Sequence, residues 1–322
     1  MKKNNNRFDS QKWVTLYNDI INRVKKGYFS ARDELREILV DLFYQTIEIT
    51  QNGSYVSENG SKINIEGNNE LRENSHFYYK EFNVNDLPSI CKKIEFVVEN
   101  LDSFEASKKL SEEGFNPIVL NMANRQRPGG GVLTGSNAQE ETLFRRSNLF
   151  LSLFQYYYKY ADKFGIPRSK FQYPMDRDFG GIYSPNVTVF RSERKFGFAF
   201  LDKPFKTSVV SVAAINRPTL DNDRLTENTI IGTKNKIRTI LRIGLINGHD
   251  AIVLGAFGCG AFRNPPSHMA ELFEEVINEP EFKNKYKKIS FAILEDHNSR
   301  KEHNLEGNFK PFFERFIGSN NF

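Results

Sequence analysis

Four short apolar runs set the main limit on how this chain folds. They are Ile118-Val119-Leu120-Asn121-Met122, Ser208-Val209-Val210-Ser211-Val212-Ala213-Ala214, Ala251-Ile252-Val253-Leu254-Gly255 and Ile289-Ser290-Phe291-Ala292-Ile293-Leu294. Each is of strand length and lacks the alternation of a half-wet strand, so each reads as a strand buried on both faces. Between them lie segments of helical periodicity: residues 139–160, residues 227–247 with Ile237, Ile240, Leu241 and Leu245, and residues 268–278. Strands alternating with helices predict an α/β fold, a sheet covered by helices on both faces. Ligands of such sheets bind in loops beyond the carboxyl ends of the strands. Two glycine-rich loops stand at such ends.

The first 75 residues read differently. Trp13, Leu16, Tyr17, Ile20, Ile21 and Val24 recur at helical spacing, and Gly27 is placed to stop that helix. A second helix is expected from Ser30, with Ser30 and Asp33 at capping-box spacing and Leu35, Ile38, Leu39, Leu42 and Phe43 on its apolar face. Asn52-Gly53 and Asn59-Gly60 then bracket a small hairpin ending at Ile63-Asn64-Ile65. The expected division is an N-terminal helical accessory region, residues 1–75, and an α/β domain, residues 76–322. The segment 164–207, with Pro174, Asp176 and Asp178, reads as a long charged insertion.

Composition narrows the class. With 29 Phe and 13 Tyr in 322 residues, the chain carries too much apolar surface to stay unfolded. Two cysteines, Cys91 and Cys259, make no disulfide framework and no zinc site, and point to a reducing compartment. The net charge is +5, from 45 basic and 40 acidic residues spread along the chain, which reads as a solvated surface and favours a polyanionic partner without specifying one. No apolar run has the length of a membrane span, and Asp9, Lys12, Asn18 and Asp19 interrupt any signal-peptide core. An intracellular, cytoplasmic protein is expected, with no membrane contact and no direct reading of nucleic acid.

The first glycine loop follows the strand that ends near Met122. It contains Gly129-Gly130-Gly131 and runs through Val132 to Ala138 into Gln139-Glu140-Glu141, which opens a helical pattern. Consecutive glycines permit positive φ and close backbone approach, and free amides in such a turn suit phosphate; the same run also fits a merely flexible loop. Two acidic residues in a first helical turn are ordinary dipole partners. Adjacent helical residues nevertheless point about 100° apart, so Glu140 and Glu141 cannot do the same job: one can hold a substrate hydroxyl while the other reaches a scissile bond, as in glycosidases with two carboxylates.

The second loop is Gly255-Ala256-Phe257-Gly258-Cys259-Gly260-Ala261-Phe262-Arg263-Asn264-Pro265-Pro266, between a strand and a helix. That order suits anion binding by backbone amides. It is neither a Walker A loop nor a dinucleotide fingerprint. Cys259 reads as a small residue tucked in a turn rather than a nucleophile served by His249 or His268. Phe262 is either core or the wall of a sugar pocket.

Taken together, these segments resemble the bacterial-type poly(ADP-ribose) glycohydrolases, a macrodomain-like family, which implies a mixed sheet flanked by helices. The Gly-Gly-Gly run and Gln139-Glu140-Glu141 stand seven residues apart, Gly258 to Phe262 resembles the family's diphosphate loop, and Tyr183-Ser184-Pro185-Asn186-Val187 is a further similar string. The resemblance implies that Glu141 is the catalytic acid and that Glu140 holds ribose hydroxyls. It implies that Asn124 contacts the distal ribose, and that Gln139 belongs to the ADP-ribose site. Gly129, Gly130, Gly131, Gly258, Cys259, Gly260 and Ala261 would surround the diphosphate, with Phe262 against the distal ribose and Phe291 a candidate for the adenine pocket. It further implies poly(ADP-ribose) or an ADP-ribosylated protein as substrate, ADP-ribose as product, no cofactor, no metal, and attack from the chain end.

Overall fold

The computed structural model describes residues 8–295 and 299–318. The chain opens with α1 (Ser10–Lys25) and α2 (Phe29–Asn52), then β1 (Ser54–Val56), β2 (Lys62–Asn64), α3 (Asn68–Glu73), β3 (His76–Tyr78), β4 (Glu95–Glu99), α4 (Ser103–Glu112) and β5 (Pro117–Met122). Next come α5 (Gln139–Arg146), α6 (Leu149–Phe154), α7 (Tyr158–Phe164), β6 (Gly181–Arg191), β7 (Phe200–Val212), β8 (Leu220–Asp221) and β9 (Arg224–Leu225). It closes with α8 (Glu227–Ile246), β10 (Ala251–Leu254), α9 (Pro266–Ile277), β11 (Lys288–Ala292) and α10 (Phe309–Phe316).

Seven strands form one sheet in the order β3-β6-β7-β5-β10-β11-β4. The pairs from β7 to β4 are parallel and those among β3, β6 and β7 antiparallel, so the sheet is mixed, as in the macrodomain-like fold that the resemblance implies. The four apolar runs occupy β5, the end of β7, β10 and β11. Pleating divides their side chains between two cores. Ile118 and Leu120 face the core under α8, α9 and α10, with Ile240, Phe273 and Phe312. Val119 faces the other, with Phe43, Phe104, Phe144 and Phe154 from α2, α4, α5 and α6. Among the described residues no helix is long and apolar enough to cross a membrane.

The structure departs from the sequence reading in three places. Helix α2 starts at Phe29 with Tyr28 as its N-cap and no side-chain cap, so Ser30 and Asp33 form no capping box. The tight turn at Gly27 (φ 87°), closed by Tyr28 N–H donating to Arg23 O, sets the helix start instead. The segment 139–160 is three short helices rather than one, because Ser147 turns extended and bridges to Val189. The segment 164–207 is not a mere insertion: it holds β6 and the start of β7. A bulge where Pro185 interrupts the pairing between Ser184 and Val187 hid that strand.

Candidate active site

Strand β5 delivers the first glycine loop to the carboxyl end of the sheet, and the loop folds back over the start of α5. Gly129 N–H donates to Glu140 Oε1 (2.9 Å) and Asn124 N–H to Glu140 Oε2 (2.8 Å). Gly131 N–H donates to Glu141 Oε1 (2.8 Å), and Ala138 N–H to Glu141 Oε2 (2.9 Å). Both side chains are nearly covered, at 4% and 6% exposure. Gly130, at φ 52°, passes between them: a Cβ there would lie 2.6 Å from Glu141 Oε1 and 3.0 Å from Glu140 Oε2. That is the physical demand for glycine. It narrows the expectation of free phosphate-binding amides here: those of Gly129 and Gly131 are committed to the carboxylates, while that of Gly130 has no partner among the described residues.

Burial, and secondly the adjacent Glu141 carboxylate, push Glu140 well above the usual carboxylate range, against the pull of the Asn124 and Gly129 amides and the Asn121 side chain. Gln139, expected among the ligand contacts, engages protein at both ends of its carboxamide. Its Oε1 accepts from Met122 N–H (2.9 Å) and its Nε2 donates to Leu120 O (2.7 Å), pinning α5 to the end of β5. The Asn124 side-chain oxygen accepts from Gln126 N–H (2.8 Å) and Arg127 N–H (3.3 Å), stiffening the turn.

The second loop is built differently. Gly258 (φ 76°) fits where a Cβ would meet Asn264 Nδ2 at 2.5 Å, and that Nδ2 donates to Ile215 O (2.8 Å) at the end of β7. The amides of Phe257, Cys259, Arg263 and Asn264 bond within the loop. Those of Gly258, Gly260, Ala261 and Phe262 have no partner among the described residues. Cys259 is fully buried, and burial pushes its thiol far up. His249 bonds Asn116 O and Tyr183, and His268 Nδ1 accepts from Leu225 N–H, so neither serves it as a base. Phe262 combines both readings, packing on the core and lining the pocket. Phe291 does not reach the pocket: it is fully buried against Phe273, Phe312 and Phe316.

Between the two loops lies a cavity of about 640 Å³. Met122, Ala214, Ala256 and Ala292, at or just beyond the strand ends, form its floor, Ala138 and Gln139 one side, and Gly258, Gly260, Ala261 and Phe262 another. Glu140 and Glu141, which follow Ala138 and Gln139 in the chain, do not themselves line the cavity. Val14, Tyr17 and Asn18 of α1 and Glu193, Arg194 and Lys195 of the β6–β7 turn complete the wall. Arg194 sits 5.6 Å over the Tyr17 ring, which stacks on Trp13 at 5.1 Å.

Residues 44–192 match the family model of the microbial-type PARG catalytic domain, PARG being poly(ADP-ribose) glycohydrolase. The matched segment runs from α2 through β6, and in that part the chain is similar to the microbial-type PARG family. Among solved structures, the poly(ADP-ribose) glycohydrolase of Thermomonospora curvata bound to the inhibitor ADP-HPD is similar at a TM-score of 0.68, with 23% identity over 87% of this chain and 100% of that one. The Deinococcus radiodurans enzyme in complex with ADP-ribose is similar at 0.60, with 24% identity over 80% and 99%. No curated protein matches the chain by sequence.

The PARG-family match contains the first loop and both glutamates, whereas α1 and the second loop lie outside it. A buried arginine ties α5 to α2. Arg145, fully buried four residues after Glu141, donates from Nε to Leu39 O (3.0 Å) and from a terminal nitrogen to Ser136 O (2.5 Å). Thr46 Oγ1 returns a bond to Arg145 O (2.6 Å). No carboxylate pairs with Arg145 among the described residues, and burial lowers its pKa to about 10. The sequence reading passed over Arg145; its position one helical turn beyond Glu141 was the available signal.

Proposed function

We propose that this chain hydrolyses the ribose–ribose O-glycosidic bonds of poly(ADP-ribose) from the chain end and releases ADP-ribose. The observation that carries this reading is the pair of glutamates, each held by two backbone amides, beside a cavity whose far side offers four free amides. In this scheme Glu141 protonates the departing ribose oxygen as the bond from the anomeric carbon to that oxygen breaks. Water then attacks the oxocarbenium-like carbon and returns a proton to Glu141. Glu140, whose carboxyl is pushed up by burial and then by its neighbour, holds ribose hydroxyls.

The diphosphate fits the amides of Gly258, Gly260, Ala261 and Phe262, where oriented N–H groups offset two negative charges. Cys259 contributes backbone only. Gly129, Gly130, Gly131, Gln139 and Asn124 serve this chemistry by placing the carboxylates. The cavity volume is ordinary for a ligand of nucleotide size. Attack from the end is favoured by α1: Val14, Tyr17 and Asn18 wall the cavity where a further unit would have to pass. Residues 1–75 thus act as an accessory region to a catalytic domain of residues 76–322, in an intracellular, cytoplasmic enzyme.

Digestion of purified polymer and of singly ADP-ribosylated protein, followed by chromatography, tests this. Free ADP-ribose is expected from the first seconds, without a pool of medium-length oligomers and with the protein-linked unit left in place. Early oligomers would overturn end attack. Complete removal of the protein-linked unit would redirect the function to mono-ADP-ribosyl hydrolysis, and binding without release would leave an ADP-ribose reader.

A further inference from the structure

A second cavity, of about 1050 Å³, lies on the other side of the second glycine loop and shares Gly260 and Ala261 with the first. Its walls are the β8–β9 hairpin with the segment before it, the loop's outer face, and residues 301–307. Nothing in the hydrolytic scheme uses it. Its polar lining is mostly charged, and part of that charge is neutralised locally: Arg224 is paired with Glu271 (2.9 Å) and Glu306 with Lys310 (2.8 Å). Arg217, Arg263 and Lys301 are exposed, and none pairs with a carboxylate among the described residues. Asp223 and Glu302 also line the space, so the unpaired charge is modestly positive rather than a broad basic field.

Two features connect these cations to the site. Arg217 N–H donates to Phe262 O (2.8 Å), which fixes the segment before β8 to the residue placed against the distal ribose. Arg263, the next residue, has φ 59°, a conformation costly for a residue with a Cβ and one that tends to mark functional loops. The three cations therefore line the outer side of the loop whose free amides face the proposed diphosphate site.

We propose that this second cavity is a subsite for the diphosphate of the neighbouring ADP-ribose unit, the one on the leaving-group side, held by Arg217, Arg263 and Lys301. The inference rests on the poly(ADP-ribose) reading of the first cavity. It gives that reading a physical basis for preferring polymer: a single ADP-ribose fills the first cavity alone, whereas a polymer end adds charge-assisted bonds in the second.

The test uses the full chain carrying Glu141→Gln, to prevent turnover, with and without Arg217→Ala, Arg263→Ala and Lys301→Ala together. Calorimetric affinities are measured for ADP-ribose and for a purified ADP-ribose trimer, alongside polymer digestion by the parent chain. The triple substitution is expected to weaken trimer binding by about tenfold or more, flatten its salt dependence, and leave ADP-ribose affinity unchanged. Unchanged trimer affinity in a variant that still binds ADP-ribose overturns the subsite even if the parent digests polymer. Selective loss of trimer affinity supports the subsite even if the parent digests none, in which case the hydrolase reading is what fails.

Discussion

The two glycine loops resemble each other in sequence and do opposite things with their backbones. In the first, the amides of Gly129 and Gly131 point inward at Glu140 and Glu141. In the second, the amides of Gly258, Gly260, Ala261 and Phe262 are left open while Asn264 holds the loop in shape. Glycine thus solves different problems: close passage of a chain between two carboxylates in one, a concave turn with unused donors in the other. Glycine content alone marks close approach and does not say whether a ligand or the protein's own side chain approaches.

This contrast is open to direct attack. The largest effect is expected from Glu141→Gln. The amide keeps the shape and cannot deliver a proton, so kcat should fall by roughly 10²–10⁴-fold while ADP-ribose affinity stays within a few-fold. Wild-type turnover would remove Glu141 from the acid role.

The glycines separate the loops next. Gly130→Val forces a branched side chain against both carboxylates, and misplacement on that scale costs about 10²-fold in kcat with little change in ADP-ribose affinity. Gly258→Ala drives a Cβ against Asn264 and Ala214, so the loop must shift, and it strains a left-handed residue by about 1–2 kcal/mol. Expressed in binding, that is a loss of about tenfold in ADP-ribose affinity, with kcat at saturation largely kept. If Gly130→Val weakened binding and Gly258→Ala slowed chemistry, the assignment of the loops would be reversed.

Much of the architecture was legible because burial writes itself into apolar runs: β5, β10, β11 and the end of β7 are all visible in the chain. Strands β3 and β4 were not, being short and at the sheet edges, and β6 was hidden by Pro185 and its bulge. At the site, the positions of Glu140, Glu141 and the loops followed from sequence, but the partners of the amides did not. Whether Gly131 N–H meets a phosphate or Glu141 depends on the tertiary path of residues 132–138. Arg145 could be placed one turn beyond Glu141, but its role could not be read: its partners are carbonyls of Leu39 and Ser136, and backbone atoms leave no trace in a sequence.

The smallest predicted effect concerns Glu140, whose buried carboxyl is pushed well above its ordinary value of 4.5. The unfolded chain releases this proton as pH rises past about 4.3, while the native chain keeps it. Above that point the native state binds more protons than the unfolded state, so this group's stabilisation, complete at lower pH, is lost as pH rises toward the folded pKa. The slope is at most about 1.4 kcal/mol per pH unit. His249 and His268, both pushed below 6.5, act in the opposite direction as pH rises toward that value, since their unfolded forms bind more protons. Wild type alone would therefore mix the two. Denaturant unfolding of wild type and Glu140→Gln at several pH values between about 5 and 8 cancels the histidines, together with any pH-independent cost of the lost amide acceptor. The stability difference should shift steadily in favour of the variant as pH rises. A difference that stays flat would mean that Glu140 is ionised in the native chain across this range, and that burial beside Glu141 does not hold its proton.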